Sequence, residues 1–173
     1  MKIYFALLAF CASILSPPFA SAAEKIGDWS LNDANETATI VRKHISTQST
    51  NELKGADASA RIELGYSCNG EFYLLAPDPG FAIDKLDCGP YGCKKHQNGQ
   101  LKFDNKPFTD AGFEIWIKSE GMYLLSDKVM LQKEMKAGNS MTLELELART
   151  DGQEQMATFS LRGFTAAHKW CAN

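Results

Sequence analysis

The sequence predicts a mainly β protein, either an antiparallel β-sandwich or a partly open barrel, with two short helices and disulfide staples. Three observations support this fold class. Short segments of alternating apolar and polar residues recur along the chain, and turn-forming residues separate them. No strand is followed by a helix at the spacing of a βαβ unit, so we expect about nine or ten strands in antiparallel connections.

The N-terminal segment has the organisation of a secretory signal peptide. Lys2 supplies a short positive region, residues 3–15 are almost all apolar, and Ala20-Ser21-Ala22 offers the small residues that a signal peptidase needs. The apolar run is shorter than the roughly 20 residues of a membrane-spanning helix. We predict cleavage near Ala22 and a single periplasmic or secreted domain over residues 23–173, without a membrane span. The alternative is an uncleaved anchor.

The charge balance argues against one class of partner. The chain contains 18 basic and 21 acidic residues, and the predicted signal segment removes one lysine and no acid, so the mature charge is about −4. Nucleic-acid-binding domains carry a basic patch or stripe, and the sequence shows none. We therefore expect no nucleic-acid partner. The sequence does not indicate an oligomeric state.

The first half of the mature chain predicts four strands. In the third, Ile62, Leu64 and Tyr66 share one face by the two-residue period of a strand. Asn69-Gly70 is a strong hairpin signal that joins it to the fourth. Residues 46–58 are polar and are interpreted as a long loop. The predicted strands cover residues 26–31, 37–45, 61–68 and 71–76.

The second half predicts more short strands and both helices. Asp127 is a suitable N-cap for a helix over Lys128–Lys136, which Gly138 would end. A closing helix is expected over residues 163–170, and Asn98-Gly99 is interpreted as a turn. The predicted strands cover residues 81–86, 101–103, 113–118, 122–125, 141–147 and 154–161.

Cysteine usage is consistent with export. Cys11 would leave with the signal segment, and an even number of cysteines in an oxidising compartment predicts two disulfides with three possible connectivities. Cys88 and Cys93 flank the turn-forming Gly-Pro-Tyr-Gly, so we expect them to pair. Cys68 and Cys171 are then left for each other.

No catalytic or metal-binding set is evident in the sequence. The histidines do not form an HExxH pattern, and no GxSxG segment is present. Cys88, Cys93 and His96 are spaced too widely for a usual zinc knuckle and lack an evident fourth ligand. Glu144 and Glu146 share the outer face of one strand about 7 Å apart, a spacing found on many solvated strands. We predict no enzyme activity, no metal and no cofactor.

Two features are candidates for binding a partner. Tyr91, Lys94, Lys95 and His96 would place an aromatic ring and positive charge on a stapled loop, and a constrained loop loses little entropy on binding. The alternative is an ordinary solvated hairpin tip. Trp116 lies on the face opposite Phe113 and Ile115, so it is a candidate surface aromatic. The alternative is packing beneath a helix.

The second half also carries a series of short motifs. They are Lys102–Pro107, Glu114-Ile115-Trp116, residues 122–125 and Phe159-Ser160-Leu161-Arg162-Gly163. This series resembles the small exported accessory protein encoded with type VI secretion systems, in which aspartate and tryptophan strands lie between two cysteines. The corresponding residues here are Cys68, Asp104, Trp116 and Cys171. The resemblance implies a disulfide between Cys68 and Cys171.

A second resemblance rests on the end of the chain. Leu131–Gly138, the segment 159–167 and the loop Cys88-Gly89-Pro90-Tyr91-Gly92-Cys93 are similar to the invasion-associated locus B family of periplasmic or surface proteins. The family's early Trp-to-Cys pattern is missing, because no cysteine follows Trp29 before Cys68. Both resemblances cover roughly residues 60–171 and imply a non-enzymatic exported β domain.

These observations predict a non-catalytic accessory protein of the bacterial cell envelope. Its expected partner is another envelope protein or a cell-wall polymer such as peptidoglycan. An inhibitor of lysozyme or another host hydrolase is the main alternative, because small stapled β domains with a projecting loop suit that function. An envelope hydrolase that uses Glu144, Glu146 and a histidine is the third.

Overall fold

The computed structural model describes residues 24–33, 43–54, 59–76, 80–83, 85–90, 92–115, 121–147 and 154–172. The predicted signal peptide, residues 1–22, lies outside these ranges. Within the described ranges, no helix has both the length and the apolar character needed to cross a membrane.

Thirteen strands and two helices form the described fold. The strands are β1 (Glu24–Ile26), β2 (Trp29–Asp33), β3 (Lys43–Gln48), β4 (Leu53–Lys54), β5 (Ser59–Ala60), β6 (Glu63–Ser67), β7 (Phe72–Leu75), β8 (Lys85–Gly89), β9 (Gly92–Phe103), β10 (Thr109–Ile115), β11 (Gly121–Leu124), β12 (Ser140–Glu146) and β13 (Glu154–Ser160). The helices are α1 (Lys128–Ala137) and α2 (Phe164–Cys171).

One large antiparallel sheet contains most of the strands. Its order is β1-β2-β3-β6-β7-β11-β10-β9-β12-β13, with β8 added beside β9 and with β4-β5 as a separate pair. The sheet is not closed, but the end of β3 meets β13 through a bridge between Ser49 and Phe159. The predicted class, a mainly antiparallel and partly open β fold with two short helices, is confirmed.

Side-chain amides continue the contact between the two ends of the sheet. The Asn51 amide donates to the Met156 carbonyl at 2.7 Å and accepts from the Thr158 N–H at 2.9 Å, as a backbone peptide would. Gln155 forms the same reciprocal pair with the backbone of Lys54, at 2.6 Å in each direction. The Asn51 bonds satisfy backbone groups of β13, and the Gln155 bonds satisfy those of Lys54 in β4, which a strand ladder would otherwise satisfy.

The predicted loop over residues 46–58 is therefore wrong in its described part. β3 continues to Gln48, and residues 49–54 form the contact with β13 and then β4. Residues 55–58 lie outside the described ranges. The segment is polar because some of its side chains line a groove and others hydrogen-bond to strand backbone as a peptide group would. Its polar composition therefore does not indicate a solvent-exposed loop.

Other strand boundaries also differ from the sequence prediction. The first predicted strand is a hairpin, because Gly27 turns the chain with a φ of +63°. The strand predicted over 81–86 begins later, as β8, and Phe81 contributes only one bridge. Asn98-Gly99 lies inside β9 rather than in a turn, since the missing side chain of Gly99 admits the Glu144 carbonyl at a distance where a Cβ would clash.

Several local predictions are confirmed. β6 and β7 form the hairpin that Asn69-Gly70 signals, with Tyr66 opposite Phe72. The Asp127 carboxylate accepts the N–H groups of Val129 and Met130 and caps α1, which ends at Gly138. All four alternating apolar residues of the β12 segment are buried: Met141, Leu143, Leu145 and Leu147.

The hydrophobic core lies inside the curled sheet, and α2 covers one end of it. Phe164 of α2 is fully buried and packs against Trp29, with ring centroids 4.9 Å apart. Tyr66 and Phe72 complete this aromatic cluster. Burial of a large apolar side chain contributes roughly 1.5–3 kcal/mol, so α2 adds substantially to the stability of this end.

Two glycines bring the N-terminal hairpin against the start of α2. A Cβ on Gly163 would lie 2.2 Å from the Ile26 carbonyl oxygen, and a Cβ on Gly27 would lie 2.4 Å from the Arg162 carbonyl oxygen. Both residues have a positive φ. The Asp28 N–H donates to the Arg162 carbonyl, and the Asp28 carboxylate accepts from Ser160 and Arg162 at 2.6 Å each. The glycine of the Phe-Ser-Leu-Arg-Gly motif is thus a packing requirement.

Asp104 has a similar structural function. It has a φ of +49°, and its carboxylate accepts the backbone N–H groups of Asn139, which follows α1, and Ser140, which begins β12. These hydrogen bonds hold the pKa of the Asp104 carboxyl below its usual value. The aspartate of the type VI-like series therefore joins the β9–β10 connection to the end of α1.

His168 on α2 gives the fold a pH dependence. The centre of its ring lies 5.1 Å from that of Tyr66 and 5.7 Å from that of Phe164. Burial lowers the pKa of His168, and the nearby charge of Lys136 has a smaller effect in the same direction. The unfolded chain therefore takes up this proton at a higher pH than the folded chain. We expect the contribution of His168 to the free energy of unfolding to become less favourable as the pH drops below about 6.5. Urea unfolding across pH 5–7 should show a smaller fall for His168→Gln, whatever that variant's stability at pH 7.

Candidate functional site

The β8–β9 hairpin carries the predicted binding loop. β8 lies off the main order of the sheet and pairs only with β9 among the described strands. Cys88 lies opposite Cys93 in the register, and their sulfur atoms are bonded at 2.12 Å. The disulfide thus closes the hairpin one pair before its tip, Gly89 and Gly92.

The second disulfide joins distant parts of the chain. Cys68 follows β6, and Cys171 ends α2; their S–S distance is 2.04 Å and their Cα atoms are 5.0 Å apart. Lys43 reinforces this junction, since its ammonium donates to the Trp170 carbonyl and lies 4.5 Å from the centre of the Trp170 ring. Both predicted cysteine pairs are confirmed.

The positive side chains of the hairpin have acidic neighbours. The Lys94 ammonium lies 2.8 Å from the Glu114 carboxylate, and this contact raises the pKa of Lys94. His96 is mostly covered, with an imidazole nitrogen 3.9 Å from the Asp87 carboxylate. Lys95 lies on the opposite face of β9 and is half-buried. The hairpin therefore presents less unbalanced positive charge than its sequence suggests.

Two predicted binding residues lie outside the described part of the chain. These are Tyr91, at the hairpin tip, and Trp116, which follows β10. The described neighbours of Tyr91 at the tip, Pro90 and Gly92, are both exposed. Binding by Tyr91, Lys94, Lys95 and His96, or by Trp116, stays a prediction.

Leu86 is a hairpin residue that the sequence reasoning did not single out. It is 59% exposed, and in the register it lies opposite Lys95, on the same face as the disulfide. Ile83, just before β8, is 45% exposed. Two large apolar side chains thus lie in solvent, one within the stapled hairpin and one just before it. The alternation of Leu86 with Asp87 and Cys88 was the available signal, since it places leucine and cysteine on one face.

A polar groove lies where the two ends of the sheet meet. It has a volume of about 430 Å³. Its described lining consists of Lys25, Gly27, Asp28, Ser30, Ser46, Thr47, Gln48, Ser49, Thr50, Arg61, Glu63 and Ser160. We call this the seam groove. Sequence reasoning missed it because its residues come from β1, β2, β3, β6 and β13.

One wall of the seam groove contains a partly buried carboxyl group. Glu63 is held by hydrogen bonds from Ser46, Gln48 and Tyr73, yet burial outweighs them and raises the pKa of Glu63. Burial and the Glu63 carboxyl together raise the pKa of Tyr73. Tyr73 also covers Gly65, where any side chain would overlap its ring. This wall is a packed polar surface.

The carboxylates considered for hydrolysis line a second groove. Glu144 and Glu146 lie there with Asp110 and Glu154, on the outer face of the sheet, around a volume of about 470 Å³. Its described lining residues include no histidine. No group of three or more His, Cys, Asp or Glu residues in the described ranges is arranged to hold a metal ion.

Comparison with known proteins gives a structural likeness. No family model matches the sequence, and no curated protein matches it either. The crystal structure of invasion associated protein B from Bartonella henselae superimposes with a TM-score of 0.54 at 16% sequence identity, covering 88% of this chain and 96% of that chain. At this identity the likeness establishes a shared fold. It agrees with the resemblance to the invasion-associated locus B family noted from the sequence, whereas the type VI resemblance stays a prediction.

Proposed function

We propose that the mature chain is a non-catalytic binding protein of the bacterial cell envelope and that its β8–β9 hairpin contacts another envelope component. The observation that carries the proposal is the stapled hairpin itself, which leaves the main sheet order and exposes Leu86 beside a disulfide.

The hairpin is suited to recognition for an energetic reason. Binding costs roughly 0.5–1.5 kcal/mol for each side chain that becomes immobilised, and a loop that is already rigid avoids the further cost of ordering its backbone. Burial of an exposed leucine returns roughly 1.5–3 kcal/mol. Leu86 is more than half exposed, so most of this contribution is available to a partner.

Two further points support an exported function. The structure contains two disulfides, which persist in oxidising compartments. The fold is shared with a protein whose name associates it with invasion. Export and cleavage near Ala22 remain part of the proposal.

The proposal predicts saturable binding of the oxidised mature protein to an envelope fraction. Leu86→Ser should weaken this binding by roughly five- to twentyfold, because burying the 59% of Leu86 that is exposed is worth roughly 0.9–1.8 kcal/mol and a tenfold change is about 1.4 kcal/mol. Immobilised protein titrated with solubilised envelope, followed by mass spectrometry of the bound material, is the measurement.

Val129→Ser is the matched control. Val129 is 78% exposed and belongs to α1, not to the hairpin. If both variants bind as the unchanged protein does, or if binding does not saturate, the hairpin is not the contact surface.

Inhibition of a host hydrolase is the second candidate, and the projecting hairpin favours it as well. A lysozyme assay on bacterial cell walls separates the two functions. If the mature protein inhibits lysozyme at stoichiometric concentration and Leu86→Ser relieves this inhibition, the partner is the enzyme rather than an envelope component.

A further inference from the structure

The seam groove lies where β3 passes from one neighbouring strand to the other. β2 pairs with β3 as far as Ser46, and β13 contacts β3 from Ser49 onward. The Ser49 N–H donates to the Ile62 carbonyl just before β6, and the Thr50 N–H donates to the Thr158 carbonyl of β13 on the other side. Because backbone groups alternate in direction along a strand, the N–H and C=O of Gln48 face β2 and β13 rather than β6. Side chains of β2, β3 and β13 line the groove at this point.

The floor and walls of the groove are rich in hydroxyl groups. Ser46, Thr47 and Ser49 are each more than nine-tenths buried, and Ser49 uses its hydroxyl within the fold. Ser30 and Thr50 contribute further hydroxyls at the sides, and the Thr50 hydroxyl donates to the Thr158 carbonyl. A volume of about 430 Å³ falls within the about 300–1,000 Å³ of small-molecule sites. The polar lining suits a ligand with many hydroxyl or amide groups rather than an apolar one.

The acidic side chains of the groove have hydrogen-bond partners within the fold. The Asp28 carboxylate accepts from Ser160 and pairs with Arg162. The Glu63 carboxyl accepts from Ser46, Gln48 and Tyr73.

The cations at the rim are differently placed. Among the described residues, neither Lys25 nor Arg61 has an acidic side chain at ion-pair distance, and Arg61 donates only to the Ser49 carbonyl at 3.3 Å. The acids are engaged by the fold, so the cations are the charges that can meet a ligand. Arginine binds a carboxylate or a phosphate with two parallel hydrogen bonds.

We propose that the seam groove binds an anionic saccharide, with its hydroxyl and amide groups on the Ser and Thr side chains and its carboxylate or phosphate on Arg61 and Lys25. The inference deepens the proposed envelope function, because glycans that carry carboxylate or phosphate groups are components of bacterial envelopes. It concerns a different surface from the hairpin.

The test is a titration of the isotope-labelled, oxidised mature protein with three sugars, followed by NMR. N-acetylmuramic acid and N-acetylglucosamine form a matched pair that differs by the lactyl carboxylate, and glucose 1-phosphate supplies a phosphate instead. We expect shifts at residues of the seam groove with at least one acidic sugar, and an affinity about tenfold or more above that of N-acetylglucosamine. The acidic sugar that binds more tightly shows whether the groove prefers a carboxylate or a phosphate.

Substitutions of the two cations test whether they bind the acidic group of the sugar. Arg61→Gln and Lys25→Gln should each weaken binding of the acidic sugar severalfold, and Lys133→Gln, which changes an exposed lysine of α1, should leave it unchanged. Equal affinity for the neutral sugar, no shifts with any sugar at about 10 mM, or unchanged binding by Arg61→Gln would overturn the inference. If the sugars fail while Leu86→Ser still weakens envelope binding, only the groove assignment is lost.

Discussion

Gly163→Ala is expected to leave little folded protein at 37 °C. The new Cβ would lie 2.2 Å from the Ile26 carbonyl oxygen, a contact between backbone atoms that no rotamer change can relieve. The φ of +93° adds strain for any residue other than glycine. We expect a loss of roughly 3–5 kcal/mol, which is a large part of the 5–15 kcal/mol that stabilises a typical domain. Urea unfolding followed by tryptophan fluorescence measures it.

Gly70→Ala is the control for the backbone conformation alone. Gly70 has a φ of +103°, but a Cβ there would meet nothing within 4 Å. Its substitution should cost only about 1–2 kcal/mol. Similar losses for the two variants would show that the contact between Gly163 and Ile26 does not limit stability.

Removal of the Cys68–Cys171 disulfide should have an effect of similar size. The bond joins residues 103 positions apart, and in the chain-entropy model a loop of that length is worth roughly 4–5 kcal/mol. The double variant Cys68→Ser/Cys171→Ser should therefore unfold at a much lower urea concentration. Because α2 covers one end of the core, we also expect the near-ultraviolet circular dichroism of its aromatic cluster to weaken first.

The second disulfide supplies the matched comparison. Cys88 and Cys93 are separated by 5 positions, and a loop this short is worth roughly 2 kcal/mol in the same model. Cys88→Ser/Cys93→Ser should therefore be the milder change. If the two double variants lose the same stability, closure of the long loop is not what holds α2 to the sheet.

The sequence was sufficient where the determining interactions are local. The β6–β7 hairpin depends on Asn69-Gly70 and on alternation within a few residues, and α1 depends on Asp127 and Gly138. Both disulfides could be assigned because the short one is itself a local feature. In each case the residues that decide the structure are neighbours in the chain.

The sequence was insufficient where distant segments decide the structure. Asn98-Gly99 has the composition of a turn, but β10 pairs with all of this segment and keeps it extended. Asn51 and Gln155 have no pattern that marks them as substitutes for a strand. The seam groove could not be predicted, since Arg61 and Lys25 come to line one groove only in the folded sheet.

Site-specific photocrosslinking in intact cells determines whether the hairpin is the contact surface. A benzophenone amino acid replaces Leu86 in one strain and Val129 in another, and crosslinked products are separated under non-reducing conditions. We expect a discrete product with an envelope component from position 86 and none from position 129. No product from position 86, or the same products from both positions, would contradict it.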